Sequence, residues 1–77
     1  MQITRTIDQR LYPGEAISEA RHEYRNFCTL SISPLGSDQV EVVITVKPKH
    51  KARGREVVLE FLNYLLDRAA EIHLEAE

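Results

Sequence analysis

Two runs of alternating apolar and polar residues in the middle of the chain restrict its possible folds more than any other feature. In residues 28–33, a cysteine, a leucine and an isoleucine alternate with threonine and serine. In residues 40–47, β-branched residues occupy every second position. A period of two fits one face of a β-strand and does not fit a helix. Because only a short polar turn separates the two runs, they are predicted to pair as an antiparallel hairpin.

Helical periodicity is found on both sides of this hairpin. Residues 14–27 carry apolar residues three and four positions apart, and Pro13 suits the start of a helix. Residues 3–12 suit a short strand with one buried face. The strongest stripe lies in residues 56–77, where the apolar positions are Val57, Val58, Phe61, Leu62, Leu65, Leu66, Ala69, Ile72 and Ala76.

This order of elements predicts the fold class. We expect one α+β domain over residues 1–77, a β-α-β-β-α two-layer sandwich with a small, mainly antiparallel sheet and both helices on one face. On the exposed side of the first helix, Glu15 and Glu19 repel each other. Packing, and not charge pairing, is therefore expected to hold that helix in place.

The small size of the chain favours association with a partner. A domain of 77 residues leaves about 40% of its unfolded surface exposed, and its core contributes ~3–5 kcal/mol. Cys28 is the only cysteine, so no internal disulfide adds to this, and a homo-oligomer or a partner subunit is expected. No run approaches about 18 apolar residues, and the N-terminus lacks the apolar core of a signal peptide. The expected location is cytoplasmic, without membrane contact.

Charge is segregated along the sequence although the net charge is only −2. Residues 56–77 contain six acidic residues and one basic residue, Arg68. Just before them lies a basic segment, residues 47–55, which contains no acid and whose cations are Lys47, Lys49, Lys51, Arg53 and Arg55.

This basic segment has two possible interpretations. It can bind phosphates of a nucleic acid or nucleotide, or an acidic stretch of a partner protein. It can also be a solvated, mobile connection whose cations keep a sheet edge from aggregating. Nucleic acid fits less well, because no aromatic residues are interleaved and the acidic helix would repel a long phosphate backbone. An acidic peptide avoids both objections.

Catalytic and metal-binding patterns are weak. His22, His50 and His73 lie in separate predicted elements, and no spacing brings them to a cysteine or carboxylate. Asp67 and Glu71 share a helix face, but two carboxylates without a third ligand are a poor metal site. No nucleophile elbow or glycine-rich phosphate loop occurs. No catalytic residue, cofactor or metal is therefore predicted, and the chain is not expected to be an enzyme.

Residues 58–68 carry a resemblance to a known family. They read Val-Leu-Glu-Phe-Leu-Asn-Tyr-Leu-Leu-Asp-Arg and follow a hairpin that ends in Lys-Pro-Lys. The core Phe-Leu-Asn-x-Leu-Leu-Asp resembles the C-terminal signature of HxsD, the small protein of the His-Xaa-Ser peptide-modification systems, and the order of elements is also similar. After Arg68 the chain departs from that pattern, since Ala69-Ala70-Glu71 stands where the family has an aromatic residue and a basic, leucine-containing run.

The resemblance implies a protein without catalytic residues that helps a radical S-adenosylmethionine (SAM) enzyme to mature a ribosomally made peptide. We therefore expect a non-catalytic accessory protein that recruits or presents the substrate peptide, with an edge strand available for peptide pairing. A polar side chain such as that of Asn63, flanked by core positions, is expected to hydrogen-bond a specific group. The predicted partner-binding residues are Lys47, Lys49, Lys51, Arg53, Arg55 and Asn63.

Two alternatives come from other functional classes. One is a small nucleic-acid or nucleotide-binding protein that uses residues 47–55. The other is a structural homodimer in which the acidic helix of one copy meets the basic segment of another.

Overall fold

A computed structural model describes residues 1–76 and confirms the predicted α+β class and element order. No helix among these residues is long and apolar enough to span a membrane. The side chain of residue 76 and all of residue 77, the end of the predicted second helix, lie outside the described residues. The elements are β1 (Gln2–Asp8), α1 (Gly14–Glu23), β2 (Cys28–Pro34), β3 (Gln39–Val46), a 3₁₀ helix (Pro48–Arg53) and α2 (Gly54–Ala76).

The sheet has three strands in the order β1-β3-β2. The predicted hairpin of β2 and β3 is confirmed, and β1 pairs antiparallel with the other side of β3. β1 and β2 therefore run in the same direction with β3 between them, which is a split β-α-β arrangement. The register places Ile44 of β3 between Ile3 of β1 and Leu30 of β2. Within residues 1–76, each outer strand is paired on one side only.

One face of the sheet is covered by the helices. Along β3 every second side chain, from Val40 to Val46, is buried. Phe61 and Leu65 of α2 are fully buried in the same apolar cluster, to which α1 adds Ile17. The opposite face carries short polar side chains that are exposed, namely those of Thr4, Thr6, Thr29, Ser31, Ser33 and Thr45.

β1 is shorter than the sequence predicted, because Asp8 begins a turn. Its Oδ1 accepts a hydrogen bond from the Arg10 backbone N–H at 2.9 Å. Its C=O accepts from the N–H groups of Leu11 and Tyr12, at 3.1 and 2.9 Å. An aspartate that bonds the backbone two residues ahead is a common turn former. The predicted strand over residues 3–12 therefore ends at Asp8.

α1 also ends earlier than predicted. The C=O of Tyr24 accepts hydrogen bonds from the N–H groups of Phe27 and Cys28, at 2.9 and 3.0 Å, and turns the chain into β2. Phe27, expected on the buried face of the helix, is instead 39% exposed. The ring of Tyr24 stays in the core region, edge-on to Phe61 with the centroids 5.8 Å apart.

The expectation that no charge pair holds α1 is wrong. Arg68 of α2 donates hydrogen bonds from Nε and Nη2 to both carboxylate oxygens of Glu19, and from Nη1 to Glu71 at 2.9 Å. The bond from Arg68 holds the pKa of Glu19 below its ordinary value and raises the pKa of Arg68. The periodicity of a single helix does not predict this contact, because its two partners lie on different helices.

Candidate functional site

The basic segment is an ordered turn and not an irregular loop. Residues Pro48–Arg53 form a 3₁₀ helix, and proline suits its first position. The N–H of Lys47 donates to the Phe27 C=O at 2.9 Å, and the N–H of His50 donates to the Lys47 C=O at the same distance. The first bond attaches the segment to the residue before β2 and the second lies within the segment, so its charges are presented from a defined backbone.

The cations of this turn are not equivalent. Lys49 and Lys51 are exposed, whereas Lys47 is half-buried. The guanidinium of Arg53 is 2.8 Å from Glu56, which raises the pKa of Arg53 and compensates its charge. Since both partners of this pair are largely exposed, it contributes little to stability. The uncompensated charge of the turn is thus concentrated on its lysines.

An aromatic contact lies inside this basic region. The ring centroids of Phe27 and His50 are 4.7 Å apart and the ring planes are tilted by 45°. Phe27 is separated from the basic segment by the whole hairpin, so the order of residues alone does not place it beside these cations. The hairpin brings the two together.

A groove between β1 and α2, here called the β1–α2 groove, is the second candidate region. Two depressions of about 290 and 330 Å³ adjoin there, and both are lined by Arg5 and Leu62. Leu59 and Leu66 line one depression each and are 53% and 52% exposed. Leu66, a member of the apolar stripe of α2, is therefore not part of the core. The apolar stripe of α2 is wider than the surface its neighbours bury, and its β1 side stays open.

The β1–α2 groove combines this apolar surface with positive charge. Arg55 lines it beside Met1 and Ile3, so the structure separates Arg55 from the lysines of the turn. Among residues 1–76, no carboxylate lines the two depressions. Within residues 1–76, neither Arg5 nor Arg55 forms an ion pair.

The predicted partner-binding residues thus divide between two surfaces. The four that precede residue 54 lie on or next to the 3₁₀ turn, whereas Arg55 and Asn63 line the β1–α2 groove. Asn63 is exposed, and its predicted specific hydrogen bond stays a prediction. Nothing in the sequence pattern singled out Arg5, because its position opposite β3 depends on strand pairing between distant residues.

Metal binding at Asp67 and Glu71 is not favoured by the arrangement. Among residues 1–76, no group of three or more His, Cys, Asp or Glu side chains is placed to hold a metal ion. The Glu71 carboxylate already accepts a hydrogen bond from Arg68. His73 lies with Nε2 2.9 Å from the Leu11 C=O, where it links α2 to the turn after β1.

Cys28 is buried, as expected for a small apolar side chain in β2. Burial raises the pKa of its thiol, and the charge of nearby Lys47 opposes this shift only in part. Low reactivity is therefore expected, since the thiolate is the reactive form.

Comparison of the chain with family models, with curated proteins and with solved structures found no match. The resemblance of residues 58–68 to HxsD accordingly stays a prediction. The 3₁₀ turn and the β1–α2 groove are the two surfaces from which a function can be inferred.

Proposed function

We propose that this protein is a non-catalytic accessory protein that binds an acidic region of a partner protein or peptide. The observation that carries the proposal is the exposed positive charge of Lys49 and Lys51. Both are exposed on an ordered turn, and within residues 1–76 neither is in an ion pair. Such a cluster attracts acidic partners, and its effect weakens with salt.

The distribution of the acidic residues favours a short or local acidic target. Glu60, Asp67 and Glu71 are exposed along α2, which follows the basic turn directly. A long polyanion that extends beyond the turn would meet their negative charge. An acidic peptide segment can contact the turn alone.

The specific partner we propose is a radical SAM maturase together with its precursor peptide. The support is the resemblance of residues 58–68 to HxsD, with Asn63 exposed in the β1–α2 groove where a partner can reach it. The gene neighbourhood tests this part. A radical SAM enzyme gene and a short precursor-peptide gene are expected beside this one, and the absence of both from related genomes would contradict it.

Peptide selection tests the general proposal. The full chain is immobilised and used to select from a library of displayed random peptides at low salt. Selected peptides are expected to be enriched in Asp and Glu, and their binding is expected to weaken as salt is raised. The double variant Lys49→Glu, Lys51→Glu should lose much of this enrichment, whereas Arg21→Glu, a charge reversal on the exposed side of α1, should keep it. Equal enrichment with the double variant would refute the proposal.

A nucleic-acid-binding function is the second candidate, and the contact between Phe27 and His50 is what favours it. Phe27 is 39% exposed within the basic region, and aromatic rings beside cations are a common platform for single-stranded bases. A mobility-shift titration with single-stranded RNA at several salt concentrations separates the candidates. Binding that falls steeply with salt and is lost in Phe27→Ala supports this alternative, whereas no shift at low salt removes it.

A further inference from the structure

The unpaired edge of β1 and the adjoining β1–α2 groove form one continuous surface. We propose that this surface binds an extended acidic peptide as a fourth strand of the sheet, beside β1. The proposed strand addition rests on the peptide-binding function above. It adds to the contact at the turn a second contact for the same partner, at the β1 edge, and specifies the chemistry of the peptide there. Strand addition to an open sheet edge is a general mode of peptide recognition, with affinity from backbone hydrogen bonds and specificity from alternate side chains.

The hydrogen bonds of β1 identify the backbone groups that are available. The Val46 N–H donates to the Met1 C=O at 2.9 Å, and the Gln9 N–H donates to the Asp38 C=O at 2.7 Å. In an antiparallel pair only every second residue bonds the facing strand, so the odd-numbered residues of β1 are those bonded to β3. The backbone groups that point away from the sheet along β1 belong to Gln2, Thr4 and Thr6.

Arg5 covers the middle of this edge. Its Nη1 donates to the C=O of Thr4 at 3.1 Å, which is one of the acceptors that an added strand needs. A hydrogen bond from arginine to a carboxylate is stronger than one to a neutral carbonyl. A peptide carboxylate beside Arg5 therefore draws the guanidinium away from Thr4 and frees the edge. A neutral peptide has to break the same contact without a replacement.

The other open edge, on β2, is less suited to strand addition. The Lys47 N–H donates to the Phe27 C=O, so the even-numbered residues of β2 point outward. At one end the Cys28 N–H is already bonded to the Tyr24 C=O at 3.0 Å. At the other end Pro34 has no N–H to donate. Missing donors at both ends of β2 make β1 the edge that accepts a strand.

The β1–α2 groove matches one face of such a strand. From Arg55 to Leu66 the groove follows α2 for about 17 Å, at a rise of 1.5 Å per residue. A strand of about five residues covers this length. Its side chains on the helix side would contact Leu59, Leu62 and Leu66, so we assign apolar residues to those positions. A carboxylate among them would meet Arg5, and the face turned away from the helices would be polar.

A second copy of this chain fits the same edge less well. Arg5 is the middle residue of β1. Symmetric antiparallel pairing of two β1 strands would place the two Arg5 side chains directly opposite each other, and like charges in that position are destabilising. The same position favours a carboxylate from an acidic peptide. Charge complementarity thus selects the peptide as the occupant.

Amide hydrogen exchange of the full chain, followed by NMR, tests the proposal. The probe is a synthetic seven-residue peptide in which threonine alternates with valine and glutamate replaces the central valine; a glutamine peptide is its neutral control. At about 90% saturation, exchange of the Thr4 and Thr6 amides should slow about tenfold, because only the unbound tenth of the protein exchanges at the free rate. The amide of Arg5, already directed at β3, should change little.

Variants then separate the role of Arg5 from a general structural effect. Arg5→Gln should lower the affinity for the glutamate peptide about five- to tenfold. The affinity for the glutamine peptide should stay at the wild-type value or rise, since the arginine no longer covers the Thr4 C=O. Leu66→Ala should lower the affinity for both peptides about fivefold. Arg21→Gln, an exposed change on α1, is the matched control and should alter neither.

Three results would overturn the proposed strand addition. In the first, the glutamate peptide binds without slowing amide exchange at Thr4 and Thr6, and the resonances of Lys49 and Lys51 shift instead. The peptide-binding function then survives at the turn. In the second, the two edge amides are protected without peptide, and increasingly so with protein concentration, which assigns the edge to a second copy. In the third, neither peptide binds at millimolar concentration; the selection from displayed peptides then decides separately whether the general function also fails.

Discussion

Leu65 and Leu66 are adjacent leucines on α2 with opposite environments, and they allow a matched test of the packing. Leu65 is 2% exposed and Leu66 is 52% exposed. Replacing either by alanine removes the same atoms from the interior of the same helix, so the change in helix propensity is the same for both. Any difference in the free energy of unfolding therefore reports the difference in packing.

The structure sets the expected magnitudes. Leu65→Ala removes a fully buried side chain and leaves a cavity beneath α2, which costs ~2–5 kcal/mol. Leu66→Ala removes a side chain that is only about half covered and leaves no closed cavity, so it should cost less than ~1 kcal/mol. The core of a domain of 77 residues contributes only about 3–5 kcal/mol, so the first substitution removes a large share of it.

Urea denaturation followed by far-ultraviolet circular dichroism measures both losses, since the chain has no tryptophan. The two variants should share the wild-type slope with denaturant and differ in midpoint. Equal losses for Leu65→Ala and Leu66→Ala would refute the assignment of Leu66 to an open groove. Repeating the measurement at two protein concentrations then shows whether a second copy covers Leu66, because only an oligomer makes the midpoint depend on concentration.

Three further predictions concern contacts between elements. Glu19→Gln should destabilise the protein at neutral pH, because it removes the ion pair with Arg68. Since Arg68 lowers the pKa of Glu19 in the folded state, the stabilisation by this pair is complete above about pH 4.5 and is lost as the pH falls below it. The denaturation curves of variant and wild type should therefore converge in acid. Tyr24→Phe removes the O–H that donates to the Glu60 C=O at 3.2 Å while keeping the ring contacts, and should lower the free energy of unfolding by about 0.5 kcal/mol; a loss of several kcal/mol would contradict this. Cys28 should react slowly with a thiol reagent in the folded protein and rapidly in urea, and fast native labelling would show that it is not buried.

Much of the fold follows from local patterns. The alternation in residues 28–33 and 40–47 predicted β2 and β3, and the stripe after residue 55 predicted α2. Element ends were less predictable, because they depend on individual hydrogen bonds. The carboxylate of Asp8 ends β1, and the carbonyl of Tyr24 helps to end α1. Neither contact changes the hydrophobic period from which the elements were predicted.

The candidate site was predictable only in part. The basic segment is contiguous, so composition alone finds it, and the sequence correctly places Lys49 and Lys51 in the connection between β3 and α2. The pairing of Arg53 with Glu56 depends on the 3₁₀ turn, and the contact of His50 with Phe27 depends on the hairpin. Arg5 and Leu66 become neighbours in one groove only because β1 pairs with the far side of β3.

Periodicity and charge are properties of contiguous residues, so they predict which segments are strands and helices, their order, and the concentration of positive charge before α2. The compensation of Arg68, the open apolar side chains of α2 and the available strand edge depend on long-range packing. Their partners, such as Glu19 for Arg68, lie far apart in the sequence and meet only when the helices pack against the sheet.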